Sequence, residues 1–234
     1  SVKEALNTEI ASNAKELLGG DIQIDSDIEP LPPKVIDQFN ALGKVSAAIE
    51  FATMLSKEGE SPVFTELRAV DNNYPLYGEI ETIPEGMANI IFSSSLKPHV
   101  LINESIQNLL NVSPGDDVTI MGQKFEVVGL VSSVPDLAES AVFGEFAIIS
   151  MDSYEQFGLS SGGSFLDHKY RTKFNNSSQT QEPETIVKSI IAFDDTIKTR
   201  LPGQSGRRLS SVIDNFSNFL NPFSYTHLTL PTTP

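Results

Sequence analysis

The side chains able to do chemistry are few and widely spaced. Histidine occurs three times, as His99, His168 and His227. No two of them stand at a spacing that brings both imidazoles to one metal ion. His168, flanked by Lys169 and Tyr170 in an alternating run, reads as a half-buried or surface sheet residue. Cysteine is absent, which removes thiol nucleophiles, disulfides and thiolate zinc sites. A serine nucleophile needs a strained elbow of the G-x-S-x-G kind. The nearest approach, Ser160-Ser161-Gly162-Gly163-Ser164, precedes a strand and reads as a flexible connection. Leu17-Leu18-Gly19-Gly20-Asp21 looks like a piece of a phosphate loop. It follows a helix rather than opening one and has no lysine, so a helix stop accounts for it. Adjacent carboxylates such as Asp116-Asp117 and Asp194-Asp195 are expected among 31 acidic residues and read as solvated faces. No catalytic, cofactor-binding or metal-ligating residue is assigned, and no cofactor is implied. The aromatic stretch Asn72-Asn73-Tyr74-Pro75-Leu76-Tyr77-Gly78 is the most distinctive. It reads as a rigid, packed crossover whose tyrosine hydroxyls find local partners, with ligand binding as the other reading.

Bulk composition narrows the function classes. Lys plus Arg number 16 against 31 Asp plus Glu, for a net charge of -15. That excess repels phosphate backbones and anionic headgroups, so nucleic-acid binding is not expected. Hydrophobic residues at 39% and charged residues at 20% are those of a globular protein. No apolar run approaches the ~20 residues needed to cross a bilayer, and no signal peptide opens the sequence. Membrane-spanning parts, if the protein has them, lie outside these residues.

The elements that would position any site alternate between strand and helix. Residues 1–18 read as a helix stopped by Gly19-Gly20. Ile22 and Ile24 alternate as a strand. Pro32-Pro33 opens a second helix through Val35, Ile36, Phe39 and Leu42, which Gly43 closes. Two extended runs follow, separated by a polar turn at 57–60, giving a β-α-β-β order. Near the end, 165–174 alternates as a strand and Pro183 starts a helix carried to Leu201 by Ile186, Ile190, Ile191, Phe193 and Ile197. Between these halves, 79–164 has short apolar runs punctuated by Gly and Pro, with a turn at Ser113-Pro114-Gly115-Asp116. Val118, Ile120, Phe125, Val127, Val128 and Leu130 would supply its small core. The fold class is therefore α+β: two β-α-β halves form one layered subdomain (21–78 and 165–206), interrupted by an inserted β-rich subdomain (79–164).

The order of four stretches resembles the first extracytoplasmic domain of FtsX-like ABC transporter permeases, with a MacB-like periplasmic core. These are LLGGDIQI (17–24), LRAVDNNYPLYGE (67–79), VLINESIQNLLNVSPGDDVTIMGQKFEVVGLV (100–131) and RRLSSVIDNFSNFL (207–220). Within that family the sequence is similar to the large permeases that accompany a lysophospholipase-like esterase. The resemblance implies that 1–20 continues from one membrane helix and that 207–220 begins another. It implies a membrane-proximal α/β subdomain and no catalytic residue. The implied partners are a separate cytoplasmic ABC ATPase subunit, a second permease subunit or second extracytoplasmic domain, and periplasmic protein or lipid cargo. The implied location is the extracytoplasmic side of the bacterial cytoplasmic membrane, and the implied role is mechanical coupling of ATP hydrolysis to movement outside the membrane. A stand-alone ligand-binding or adhesive module is the alternative. The tail 221–234, with three prolines and no periodic pattern, departs from the family and reads as non-native or disordered.

Overall fold

The structure is a computed structural model that describes residues 14–27, 29–136, 144–156, 158, 166–175 and 197–200. Its class is the mixed α and β one read from the sequence. The helices are α1 (Ala14–Leu18), α2 (Pro33–Leu42), α3 (Glu104–Leu110) and α4 (Met151–Gln156), with a 3-10 turn at Met87–Phe92. Ten strands are described: β1 (Ile22–Asp27), β2 (Gly43–Ser56), β3 (Val63–Val70), β4 (Glu81–Ile83), β5 (His99–Ile102), β6 (Asp117–Ile120), β7 (Gln123–Ser133), β8 (Phe146–Ser150), β9 (Asp167–Phe174) and β10 (Ile197–Arg200). All belong to one sheet in the order β10-β1-β9-β2-β3-β8-β5-β7-β4. The remaining strand, β6, pairs with both β7 and β2. None of the described helices is long and apolar enough to cross a membrane.

The long strand β2 organises everything. Its 14 residues would extend about 45 Å at ~3.3 Å per residue. Along its first half it pairs with β9, from Gly43↔Phe174 to Glu50↔Asp167. From Ala48 onward it pairs with β3, and at Leu55 and Ser56 with β6. The sequence β2-β3-β8-β5-β7-β6 therefore returns to β2 and closes a six-stranded barrel. Phe51, Leu55, Val63 and Leu67 point into its lumen together with Val118, Ile120, Phe125 and Val127. The helix α3 plugs the lumen with Ile106 and Leu110. Its N-terminus is held by Asn103, whose side chain accepts from the Ile106 amide.

Three sequence expectations change here. Residues 79–164 do not make a core alone: the barrel needs β2 and β3, which the sequence assigns to the other subdomain. A break in pairing along one continuous strand leaves no trace in composition, so the change from flat sheet to barrel falls inside β2 rather than at residue 79. Second, the expected helix through Leu201 is strand at its described end. β10 runs antiparallel to β1, where Lys198 and Arg200 alternate onto the face carrying Asp27 and Asp25.

The assumed core of the insert is also split. Val128 packs outside the barrel with Met87, Ala88 and Phe92, whereas Leu130 turns inward. A register shift between β5 and β7, Val100↔Val127 but Leu101↔Gly129, adds one residue and exchanges the faces. The flat part of the sheet is covered on one face by α2: Ile22, Ile24, Val45 and Tyr170 pack on Leu31 and Phe39. The Ser113–Asp116 turn forms as expected, with Gly115 at φ +97° and the Asp116 amide donating to Ser113 O at 2.9 Å. Of the expected helical roots 1–18 and 207–220, only Ala14–Leu18 is described, as α1; the rest of both, and the tail 221–234, lie outside the described residues.

Because the lumen is close-packed, Phe125→Ala should destabilise the chain by about 3–5 kcal/mol in urea denaturation. Val128→Ala, on the outer side, should cost clearly less.

Candidate functional site: a buried charge network

A row of ionic side chains crosses the face of the sheet opposite α2. It runs from Asp25 on β1 through Lys169 and Arg171 on β9 and Glu50 on β2 to Arg68 on β3. Cross-strand register creates it: Glu50 sits opposite both Asp167 and Arg68, and Arg171 opposite both Gln23 and Ser46. Arg68 is the deepest member, only 1% exposed. Its Nε lies 2.7 Å from Glu50 Oε1, and its Nη1 lies 2.8 Å from Asp136 Oδ1. That same Nη1 donates to the Tyr74 hydroxyl at 2.8 Å, which in turn donates to Asp136 Oδ1 at 2.5 Å. The guanidinium also stands over the Phe146 ring, 5.3 Å from its centre. Asp136 receives a second cation, Arg171 Nη2 at 2.6 Å from Oδ2. Lys169 closes the other end on Glu50 Oε2.

The titration behaviour follows from burial opposed by charge. Burial alone would raise the Asp136 carboxyl, but Arg171 and Arg68 outweigh it and hold the group well below the usual carboxylate range. Glu50 is lowered in the same way, burial being overcome by Arg68, Lys169 and Arg171. Burial drives the Tyr74 phenol far above its ordinary value, so it remains a protonated donor. Each partner is thus fixed in its hydrogen-bonding state.

Local structure delivers each side chain. The helix α1 ends in a Schellman turn: the Gly20 amide bonds to Lys15 O at 3.1 Å and the Gly19 amide to Glu16 O at 3.0 Å. This frees Leu18 O to accept from Arg171 Nε at 3.0 Å. Gly19 has φ +76°, and a Cβ there would stand 2.9 Å from Arg171 Cδ and 3.2 Å from Asp136 Cβ. The Gly-Gly stop is therefore also a site requirement. The crossover 72–78 and Asp71 before it are held by polar contacts to other elements. Asp71 accepts from Ser46 Oγ at 2.9 Å and from the Ala47 amide at 2.8 Å, tying the crossover to β2. Tyr77 donates to Asp21 at 3.0 Å; burial first, then that bond, pushes its phenol up to about 12. Lys173 sits over the Tyr77 ring, 4.4 Å from its centre.

The candidates singled out in the sequence are scattered. His99 lies on β5 and His168 on β9, with β2, β3 and β8 between them in the sheet. His99 Nδ1 is 3.0 Å from Ile90 O, and His168 is buried on the α2 side, deeper than its sequence context suggests. Asp116 accepts from the Ser113 amide and Asp117 pairs with Lys97, so the Asp116-Asp117 dyad is divided between a turn and an ion pair. His227, Ser160–Ser164 and Asp194-Asp195 lie outside the described residues. Among the described residues no group of three His, Asp or Glu is arranged to hold a metal ion. An open cleft of ≈ 660 Å³ lies beside the crossover, between Tyr74, Glu79, Glu85 and Phe92. What sequence reasoning missed is the network itself. Its signal was a charge set among apolar neighbours in each of two strands, Glu50 in AAIEFA and Arg68 in LRAV.

No family model matches the chain. In sequence it is similar to the uncharacterized ABC transporter permease YbbP of Escherichia coli K12, 28% identical over 140 residues. That match covers 58% of this chain and 16% of the relative, so the chain spans a small part of the protein it resembles. Among solved structures it superposes on the extracellular domain of the noncanonic ABC-type transporter YknZ from Gram-positive bacteria (TM-score 0.48, 13% identity, 76% of this chain and 99% of that one). It also superposes on the periplasmic region of MacB from Actinobacillus actinomycetemcomitans (TM-score 0.48, 14% identity, 88% and 98%).

Removing Asp136 would take the carboxylate from Arg171 and one of the two from Arg68, both buried, so Asp136→Ala should cost about 3–5 kcal/mol in urea denaturation. Lys198→Ala, which breaks an exposed pair with Asp27, should change stability little. The pH dependence follows from the lowered carboxyls. Folded Asp136 and Glu50 titrate below their unfolded values near ~4, so their stabilisation is complete above that range. It drains as pH falls through it toward the folded values. Thermal unfolding followed from pH 7 to pH 2 should show this loss, with a shallower slope in Asp136→Asn.

Proposed function

We propose that this chain is a non-catalytic extracytoplasmic domain of an ABC transporter permease, held outside the bacterial cytoplasmic membrane and moved by ATP hydrolysis in the cytoplasm. The observation that carries the reading is the 28% identity over 140 residues to an ABC transporter permease. On this reading residues 1–20 and 207–220 are the roots of two membrane helices. The membrane-proximal unit is the flat sheet with α2, and the barrel is the part displaced. The partners are a separate cytoplasmic ATPase subunit and a second permease subunit or extracytoplasmic domain. The cargo is a periplasmic protein or lipid, and a lysophospholipase-like esterase is a companion of the system.

The mechanical half of the proposal draws support from the buried network. A domain that transmits force must not bend between its root and its working end. Here α1, β9, β2, β3 and the segment following β7 converge on Asp136, Arg68 and Arg171. A fully satisfied buried polar network rigidifies the elements that meet in it.

The test uses the intact permease reconstituted with its ATPase in liposomes, with fluorophores on Glu60 of the 57–62 hairpin and on the partner subunit. ATP should change energy transfer in the wild type. In Asp136→Ala, ATP hydrolysis should continue while that change falls by at least about half. An unresponsive wild type, or a variant that responds in full, would refute the mechanical role.

A further inference from the structure

On the outer wall of the barrel three large apolar side chains lie in one row. Met54 on β2 is 47% exposed, Phe64 on β3 is 66% exposed and Met121, just after β6, is 37% exposed. Met54 is the cross-strand partner of Phe64. The antiparallel pair Leu55↔Ile120 sets Met121 beside Met54 on the other flank. Alternation turns Met54 and Phe64 outward, since Leu55 and Val63 next to them point into the lumen, and Met121, at φ +49° in the turn after β6, adds a third exposed apolar side chain at their flank. Scattered exposed hydrophobics are ordinary, but three side by side are not.

The rim of the strip is mainly acidic. Glu66 stands one step along β3, opposite Ala52. Glu58 and Glu60 are exposed in the hairpin that joins β2 to β3. The cation of that hairpin, Lys57, is already engaged: its Nζ is 2.5 Å from Asn111 O and 3.5 Å from Asp116 Oδ2. Lys124 on β7 is the cation at the far flank, exposed and opposite Thr119. The chain as a whole carries a net charge of -15. A second copy or an anionic bilayer would therefore meet the strip against like charge.

From this pattern we propose that the Met54–Phe64–Met121 strip docks a protein segment presenting an apolar side chain flanked by lysine or arginine. Methionine adapts its shape to an incoming group, and Phe64 offers a ring face to both apolar and cationic side chains. The surrounding carboxylates supply orientation and steer encounter. Met54 stands four residues from Glu50 along β2, about 13 Å at ~3.3 Å per residue, and none of the three apolar residues belongs to the charge network, so the proposal stands whether or not the permease reading holds.

The chain has four methionines, which makes the test direct. Met87 and Met151 pack against the cores and serve as internal controls for Met54 and Met121. Short random peptides displayed on phage would be selected against the 234-residue chain, and the synthesised consensus titrated into protein carrying 13C-methyl methionine. The expected consensus joins an aromatic or aliphatic residue to Lys or Arg. It should shift the Met54 and Met121 methyl signals while leaving Met87 and Met151 in place. Phe64→Ser and Glu66→Lys, each with an unchanged circular dichroism spectrum, should weaken binding at least about tenfold. No enrichment, an acidic consensus, or shifts confined to Met87 and Met151 would overturn the proposal. So would self-association abolished by Phe64→Ser, which would assign the strip to a second copy, or binding of phosphatidylglycerol vesicles, which would assign it to lipid.

Discussion

A guanidinium cannot be left bare inside a protein, and Arg68 is almost wholly inside this one. Its position in the middle of β3 obliges three other parts of the chain to come to it. Glu50 must lie opposite on β2, Asp136 must return after β7, and Tyr74 must fold back from the crossover. Asp136 then demands a second cation, which fixes Arg171 and, through it, the end of α1. Isolated ion pairs of this kind contribute little net stability, because desolvation offsets attraction. What the network contributes is uniqueness. The register β2–β3 and β2–β9 cannot slip by a residue without turning Glu50 or Arg171 to the apolar face.

That constraint sits where two architectures meet. Residues Ala48 to Glu50 of β2 have β9 on one side and β3 on the other. Before them β2 belongs to a flat sheet backed by α2; after them it is a barrel stave. A simple hinge would be expected at such a change of partners, yet the densest set of charge-assisted contacts is found there. The two units share a strand and a buried network, so they should respond to force as one body. This is the physical content of the mechanical proposal, and it would hold for any membrane system that pushes on the base.

Much of the fold was legible in the sequence, for identifiable reasons. Pro32-Pro33 and Gly43 bracket α2 because proline pre-sets the first turn and glycine ends the last. The alternating runs of β2 and β3 and the polar turn between them are visible in residue type alone. The α+β class follows from that order. Less legible was anything that depends on which strands meet. Closure of the barrel rests on only two residue pairs between β2 and β6, and no local pattern announces them. The shift that separates Val128 from Leu130 depends on β5, more than twenty residues earlier. Alternation alone would turn the polar face of β1 to solvent, whereas Gln23 and Asp25 are buried under the charge ladder. The candidate site was half legible. The crossover 72–78 stands out, although its tyrosine hydroxyls donate to the distant Asp136 and Asp21 and not to local partners, whereas Glu50 and Arg68 pass as ordinary strand residues. A charge set among apolar neighbours in a strand is the clue that would find them.

The central claim is that the base sheet and the barrel form one stiff body because of the buried network. These 234 residues contain no cysteine, so with any cysteine elsewhere in the permease replaced, paired spin labels can be placed, one at Lys44 at the base of β2 and one at Glu60 in the hairpin beyond its far end. Both are exposed and lie outside the network. Pulsed electron-electron resonance should give one narrow distance distribution in the labelled protein, unchanged between the nucleotide-free and ATP-bound permease. The same pair in Asp136→Ala should give a visibly broader distribution. A broad or nucleotide-dependent distribution in the otherwise native protein would mean that the junction bends, which would contradict a single stiff body.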